Sequence, residues 1–254
     1  FHFTMGLYFC GMQKPLTVSQ AIAHRRSVRN YTDEALDDEL VKKCIENASL
    51  APNSSNMHLW EFINVKKPEL KELLNTACFK QQASRTAERF VVVVVRRDLW
   101  KKRAKANAEF IGQNKAETES QIRRKKFALR YYQKLMPTIY GFDNFGILSS
   151  IKKISTWVSG IFRPIYRQVS LSDMRIVTHK SAGLAAQNFM LSMAEVEYDT
   201  CPMEGFDSRL VKKALGLPKK AEINMILACG KRSETGVYGK RFRVPFEEVY
   251  TERF

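Results

Sequence analysis

Motifs that announce several common chemistries are missing from this chain. It contains no G-x-G-x-x-G, no Walker A sequence and no G-x-S-x-G, so a Rossmann dehydrogenase, a P-loop enzyme and an α/β-hydrolase each lose their usual support. The four histidines, His2, His24, His58 and His179, form no H-E-x-x-H and sit near no pair of acidic ligands. Metal catalysis therefore has no visible site, and no metal ligand is assigned. The five cysteines, Cys10, Cys44, Cys78, Cys201 and Cys229, are widely scattered without a C-x-x-C pair. That pattern argues against a zinc site or a redox dithiol and points to a reducing, cytoplasmic setting. The longest uninterrupted apolar run in the body of the chain, Phe90 to Val95, is far short of the roughly 20 residues a membrane-crossing helix needs, so no stable membrane insertion is expected. Residues 1–12 carry no Lys, Arg, Asp or Glu and lack the basic start and cleavage site of a signal peptide. They are expected to be a flexible leader, with Met5 or Met12 as candidate natural starts.

What is present is enough for a full core: 254 residues at 44% hydrophobic composition, expected to form one domain over residues 13–254. The net charge is +16, which raises nucleic acid or an acidic membrane as partners. Its distribution is informative. Residues 96–134 hold 13 basic and 4 acidic side chains, so more than half of the excess lies in one stretch, read as one basic, helical face.

Periodicity supplies the elements. Thr17-x-x-Gln20 is a capping box opening a short helix that should end in Arg25-Arg26-Ser27-Val28-Arg29. Asp37 should cap a second helix, in which Leu40, Val41, Cys44, Ile45 and Ala48 recur at helical spacing until Pro52. Asn53 to His58 is a polar loop. Trp60 to Val65 reads as a strand, Pro68 to Ala77 as a helix with proline in its first turn, and Phe90 to Val95 as a strand buried on both faces. Ile223 to Cys229 and the shorter Phe246 to Tyr250 are read as the remaining strands. Between them, Trp100 to Asp199 reads as almost wholly helical, with a turn region around Pro137 to Gly146 and a core or interface helix from Ser181 to Tyr198 carrying Ala182, Ala185, Phe189, Met193 and Val196 as its stripe. These strands do not alternate with helices as in a doubly wound sheet, so the fold class is α+β.

Arg25-Arg26-Ser27-Val28-Arg29 places three guanidinium groups and a hydroxyl near a helix end, where planar donor forks suit a phosphate and a carbonyl. Taken alone, a solvated basic turn is the commoner reading of such a run. Three further segments follow it: Pro52-Asn53-Ser54-Ser55-Asn56 with Trp60, Cys201-Pro202-Met203-Glu204-Gly205-Phe206-Asp207, and Gly239-Lys240-Arg241-Phe242-Arg243-Val244-Pro245. In order and separation they resemble the nitroreductase family over nearly the whole chain after Met12. Each alone is as readily an ordinary turn or strand end; four coincidences in family order are much harder to obtain.

The resemblance implies an FMN-dependent oxidoreductase: a small, mostly antiparallel sheet surrounded by helices, in an intertwined homodimer with a C-terminal extension crossing to the partner. It assigns Arg25, Arg26 and Ser27 to the FMN phosphate side, Arg29 to the pyrimidine edge, and Arg241 and Arg243 to a basic pair returning to the phosphate. Pro52, Asn53, Ser54 and Asn56 would complete the partner subunit's site, Asn53 standing where serine is common. The Pro202-Met203-Glu204-Gly205 turn would lie against the flavin ring, with Gly205 permitting close backbone approach, and Gln81 would point an amide toward it. No catalytic side chain is implied, because the flavin carries the chemistry.

NADH or NADPH would be the donor and a nitroaromatic, quinone or similar small electron-poor molecule the acceptor, in a ping-pong mechanism. The positive charge is then explained by nucleotide attraction without nucleic acid. Residues 100–178 are expected as a helical lid or insert. Within them Ile147, Ile151, Ile154, Val158, Ile161 and Ile165 line one face; a lid or subunit-packing helix is favoured there over a membrane-surface helix. Two other readings stay open: a flavin-fragmenting or reductively dehalogenating member of the same fold, and a non-catalytic basic nucleic-acid-binding protein using residues 96–134.

Overall fold

The structure is a computed structural model that describes residues 15–141 and 146–254. The expected leader lies outside the described residues. Helix α1 (Val18–His24) starts where the capping box predicted: the Thr17 hydroxyl accepts from the Gln20 backbone N–H while the Gln20 side chain accepts from that of Thr17. Helix α2 (Asp38–Ser49) is capped by Asp37, whose Oδ1 accepts from the N–H groups of Glu39 and Leu40 at 2.8 and 3.0 Å, satisfying two of the orphan donors that every helix start carries. Then follow β1 (Trp60–Val65), α3 (Pro68–Ala77), α4 (Gln82–Thr86) and β2 (Arg89–Val95). A helical excursion runs through α5 (Trp100–Gln113), α6 (Glu119–Arg130), a π-helical turn at Tyr131–Leu135, α7 (Met136–Tyr140) and α8 (Ile147–Phe162). The chain returns through α9 (Leu171–Glu195), β3 (Asp199–Met203), α10 (Ser208–Ala214) and β4 (Glu222–Gly230).

The strands form one antiparallel sheet in the order β1-β2-β4-β3. Every residue of β2 is buried, and the period of two explains how. Phe90, Val92 and Val94 point into a core with Leu74 and Ala77 of α3, Val211 of α10 and Ile226. Val91, Val93 and Val95 point the other way, against Val41 and Cys44 of α2 and Ala182, Ala185, Phe189 and Met193 of α9. At about 1.5–3 kcal/mol for each large apolar side chain removed from water, this strand anchors both layers. The small residues of the α9 stripe allow α2 and the sheet to approach closely, as its spacing predicted. A third cluster joins Met57 and Leu59 to Trp100, Ala104, Met136, Tyr140 and Met174, tying the polar loop before β1 to the helical excursion.

Three sequence expectations need correction. Pro137 to Tyr140, expected in a turn region, belong to α7, where proline is tolerated because it falls in the first turn. Phe246 to Tyr250 is not a strand: Phe246–Glu248 is a single 3-10 turn, and the whole segment from Lys240 onward is exposed. Its apolar and aromatic residues suit a strand, but it lies along no sheet edge, and a strand without a partner leaves its backbone groups unpaired. The fourth strand is β3 instead, so Pro202 and Met203 end a strand and only Glu204 and Gly205 lie in the loop that follows it. Proline is tolerated there because β3 is an edge strand. Along it, Ser27 forms a parallel bridge to Thr200, and Val28 N–H donates to Thr200 O at 3.1 Å. Further on, Thr32 N–H donates to Lys231 O at 2.8 Å and the Tyr31 hydroxyl to Ala228 O at 3.0 Å. The Tyr31 ring packs so closely on the end of β4 that a Cβ at Gly230 would meet it at 2.8 Å, which requires glycine.

Buried charge is paired. Arg89, 1% exposed, donates to Asp38, Glu88 and the carbonyl of Leu36, as a desolvated guanidinium must. At the start of β4, Glu222 gathers Arg175 and His179 of α9 together with Arg97, whose Nη2 lies 3.1 Å away. The hydrogen bond from His179, then that from Arg175, holds the Glu222 carboxyl down at about 2, against the effect of burial. A depressed folded-state value contributes stability that is fully present above the ordinary range near pH 4.5 and lost as pH falls toward 2. Glu222→Gln should therefore cost up to about 3 kcal/mol at neutral pH, and its deficit in denaturant titrations should shrink across that acid window; a pH-independent deficit would show that the pairing is not the cause.

Candidate active site

The end of α1 is laced to a segment more than two hundred residues away. Arg25 leaves the helix with ψ 127°, exposing the last carbonyls of α1, and Arg241 Nη2 reaches back to accept that role, donating to Ala23 O at 2.9 Å and Arg25 O at 2.5 Å. A cation at a helix C-terminus is favourable both as a donor and against the dipole. In return Arg26 Nη2 donates to Gly239 O at 3.0 Å. Gly239 has φ +67°, a left-handed conformation that turns the chain sharply at this point. The backbone N–H of Arg29 donates to Gly236 O at 2.7 Å, fixing the other end of the basic cluster.

Between these two strips lies a cavity of about 440 Å³, lined by Arg25, Arg26, Ser27 and Arg29 on one side and Val237, Tyr238, Lys240, Arg241, Phe242 and Arg243 on the other. No acidic residue is in that lining. Burial, then the neighbouring charges of Arg241 and Arg243, push the Arg25 guanidinium below its ordinary value. Crowded cations without a carboxylate among them are an arrangement that a multiply charged oxyanion relieves, and guanidinium forks with a serine hydroxyl are the matching donors. The residues present thus fit a phosphate group. The Cys201 thiol on β3 feels the fields of Arg29 and Arg25, although burial dominates and raises it, so the cavity adjoins the sheet edge.

Gln81, Pro202, Met203, Glu204 and Gly205 are not in that lining and form a separate contact after β3. Gln81 Nε2 donates to Gly205 O at 2.8 Å, and a Cβ at Gly205 would lie 3.4 Å from that nitrogen. Asp207 N–H donates to Ala77 O at 2.8 Å, so α3 and the turn after it position Glu204 and Gly205, both exposed. The structure accordingly brings together Gln81 with Glu204–Gly205, and Arg25, Arg26, Ser27 and Arg29 with Arg241 and Arg243.

It does not bring Pro52, Asn53, Ser54 or Asn56 into the cavity lining. That loop docks instead on the helical excursion and α9. Ser54 N–H donates to Ser181 Oγ, Asn56 Nδ2 to Asn107 Oδ1, and the hydroxyls of Ser55 and Tyr131 are 2.7 Å apart. Ser55, Asn56 and His58 all have positive φ, costly for residues other than glycine and sustained here by surrounding contacts such as His58 N–H to Asn53 Oδ1 at 2.8 Å. Sequence reasoning missed Lys240, Phe242, Tyr238 and Val237 as lining residues. The first two sit within the run that carries Arg241 and Arg243; choosing only the arginines passed over them.

Comparison with known proteins bears on this arrangement. A model of the Nitroreductase family matches residues 22–231. Protein DrgA of Synechocystis is 25% identical over 226 residues, covering 89% of each chain. A protein of Thermus thermophilus named NADH dehydrogenase is 25% identical over 234 residues, 92% of this chain and 95% of its own. Among solved structures, a protein from Exiguobacterium sibiricum in complex with FMN superposes with a TM-score of 0.65 over 95% of this chain and 99% of that one, at 21% identity.

Proposed function

The chain belongs to the Nitroreductase family, and from that premise we propose that it is an NAD(P)H-dependent FMN oxidoreductase that reduces small electron-poor acceptors such as nitroaromatics or quinones. The observation that carries the reading is the acid-free cavity in which the Arg25 guanidinium is pushed down first by burial and then by Arg241 and Arg243. The Exiguobacterium protein's FMN and the name of the Thermus relative support cofactor and donor. Bound FMN would supply hydride acceptance and donation, so no nucleophile or triad is required of the protein.

The chain's own residues then have defined tasks. Arg25, Ser27, Arg241 and Arg243 would hold the phosphate, with Arg26 keeping Gly239 in place. Arg29 would set positive charge beside the pyrimidine edge, where it favours negative charge developing on a bound ring. Gln81 and the Glu204–Gly205 backbone would orient the ring system. Pro52, Asn53, Ser54 and Asn56 would serve the partner subunit, which suits their docking away from this cavity. A homodimer is further supported by the exposed apolar side chains of the C-terminal segment, among them Phe242, Phe246, Val249 and Tyr250. The helical excursion of residues 100–178 would frame access for the acceptor, and four buried, unpaired cysteines suit a reducing cytoplasm.

Purified protein should show a flavin spectrum, and Arg25→Ala should weaken FMN affinity roughly ten- to a hundred-fold, for about 1.5–3 kcal/mol of lost charge-assisted contact. Unchanged retention on dilution would remove the phosphate assignment, and a colourless protein would favour a non-catalytic basic binder. Light scattering should give the mass of two chains; a stable, flavin-loaded monomer would contradict the shared site. Donor and acceptor should occupy one site in turn, so varying NAD(P)H at fixed acceptor concentrations should give parallel double-reciprocal lines, whereas intersecting lines would indicate a ternary complex.

A further inference from the structure

Helix α8 is turned inside out relative to a helix of a water-soluble core. Over Ile147–Phe162 none of its residues is buried, and its large apolar side chains are left open: Ile151, Ile154, Trp157, Val158, Ile161 and Phe162 are from 44% to 83% exposed. Ser149, Lys152, Thr156, Ser159 and Gly160 are the ones partly covered by the chain. At about 100° per residue the apolar positions fill one half of the helix, with Ser150 and Ser155 among them, and Ser149, Thr156, Ser159 and Gly160 lie on the other. Lys152 and Lys153 fall just outside the two borders of the apolar half, and Trp157 lies at one of those borders. Lys152 Nζ donates to the carbonyl of Thr138 in α7, and Arg167 Nη2 to Gly160 O at 3.0 Å. Both bonds hold the polar side inward.

Charge selects among the occupants of such a face. Residues 146–172 contain Lys152, Lys153, Arg163 and Arg167 and no Asp or Glu. A second copy of α8 would set these cations against their equivalents, and an apolar protein groove would leave them uncompensated. An anionic lipid surface complements both features: acyl chains take the apolar half, headgroups take the bordering cations, and the indole sits at the interface. At 16 residues the helix spans only about 24 Å, too short to cross the hydrocarbon core but well suited to lie in its plane. No helix among the described residues is long and apolar enough to cross a membrane.

We propose that α8 is an interfacial anchor that seats the protein on anionic membrane surfaces with its Ile/Trp/Phe face in the acyl boundary. The proposal is independent of the flavin assignment. A basic protein adheres to anionic vesicles through charge alone, so the test needs a local reporter, and Trp157 supplies one: it is 65% exposed, whereas Trp60 and Trp100 are both 5% exposed.

The full-length protein is mixed with phosphatidylcholine vesicles containing or lacking about one third phosphatidylglycerol, and flotation and tryptophan emission are recorded at low and high salt. The proposal expects flotation with the anionic vesicles, a blue shift with protection from acrylamide, and partial persistence in high salt. Ile154→Glu with Trp157→Glu should lower partitioning at least about tenfold while leaving the circular dichroism melt and the light-scattering mass unchanged. Lys152→Glu with Lys153→Glu should weaken binding but leave a blue shift in the fraction still bound. Flotation without a change at Trp157, or flotation abolished by salt in the parent, means charge-only adhesion and overturns the proposal. So does a lower mass for the Ile154/Trp157 variant, which would place this face between copies of the chain.

Discussion

Strand β2 leaves no face for water, and the rest of the architecture follows from that constraint. A strand apolar on both sides needs cover on both, which α2 and α9 provide on one face and α3 and α10 on the other. Its two backbone edges must also be paired, which β1 and β4 do. With those places filled, β3 becomes an edge, and the residues leaving α1 lie alongside it through Ser27 and Val28. The basic cavity is thus built at the margin of the sheet, where backbone is free to present side chains outward, while its position is fixed by the most buried element of the molecule.

Charge repulsion and folding pull against each other at that margin. Arg25, Arg26, Arg29, Lys240, Arg241 and Arg243 would be cheaper apart, and their crowding is sustained by local hydrogen bonds: Arg241 to the last carbonyls of α1, and Arg26 to Gly239. Elsewhere the chain resolves the same problem with carboxylates, as at Arg89 and Arg96. The contrast between compensated and uncompensated arginine is itself a marker of a binding site. The left-handed residues at Ser55, Asn56 and His58 are a second local cost, held by packing against the helical excursion.

Elements whose pattern matches one period were legible in the sequence. The 3.6-residue repeat of α2 between Asp37 and Pro52, the unbroken Phe90–Val95 run and the small-residue stripe of α9 each had one structural solution. Where composition and context disagreed, reading failed. Phe246 to Tyr250 has the residues of a strand but no edge to join, whereas β3 is only five residues long, contains a proline and follows a helix without a strong turn signal. The phosphate-type cluster was found through likeness to a family, because no local spacing relates Arg25 to Arg241. Lys240 and Phe242 were overlooked within that cluster because an irregular strip, unlike a strand, can offer successive side chains to one cavity. The strain at Ser55, Asn56 and His58 was invisible because none of them is glycine.

The pairing of residues 25–29 with residues 237–243 has a consequence for biosynthesis. A chain emerging from the ribosome can complete α1 and α2 early, yet the cavity does not exist until the strip beyond β4 has been made and has folded back. An anionic ligand held by both strips would therefore be taken up late, and a nascent chain stalled before Gly239 carries only the first of the two strips.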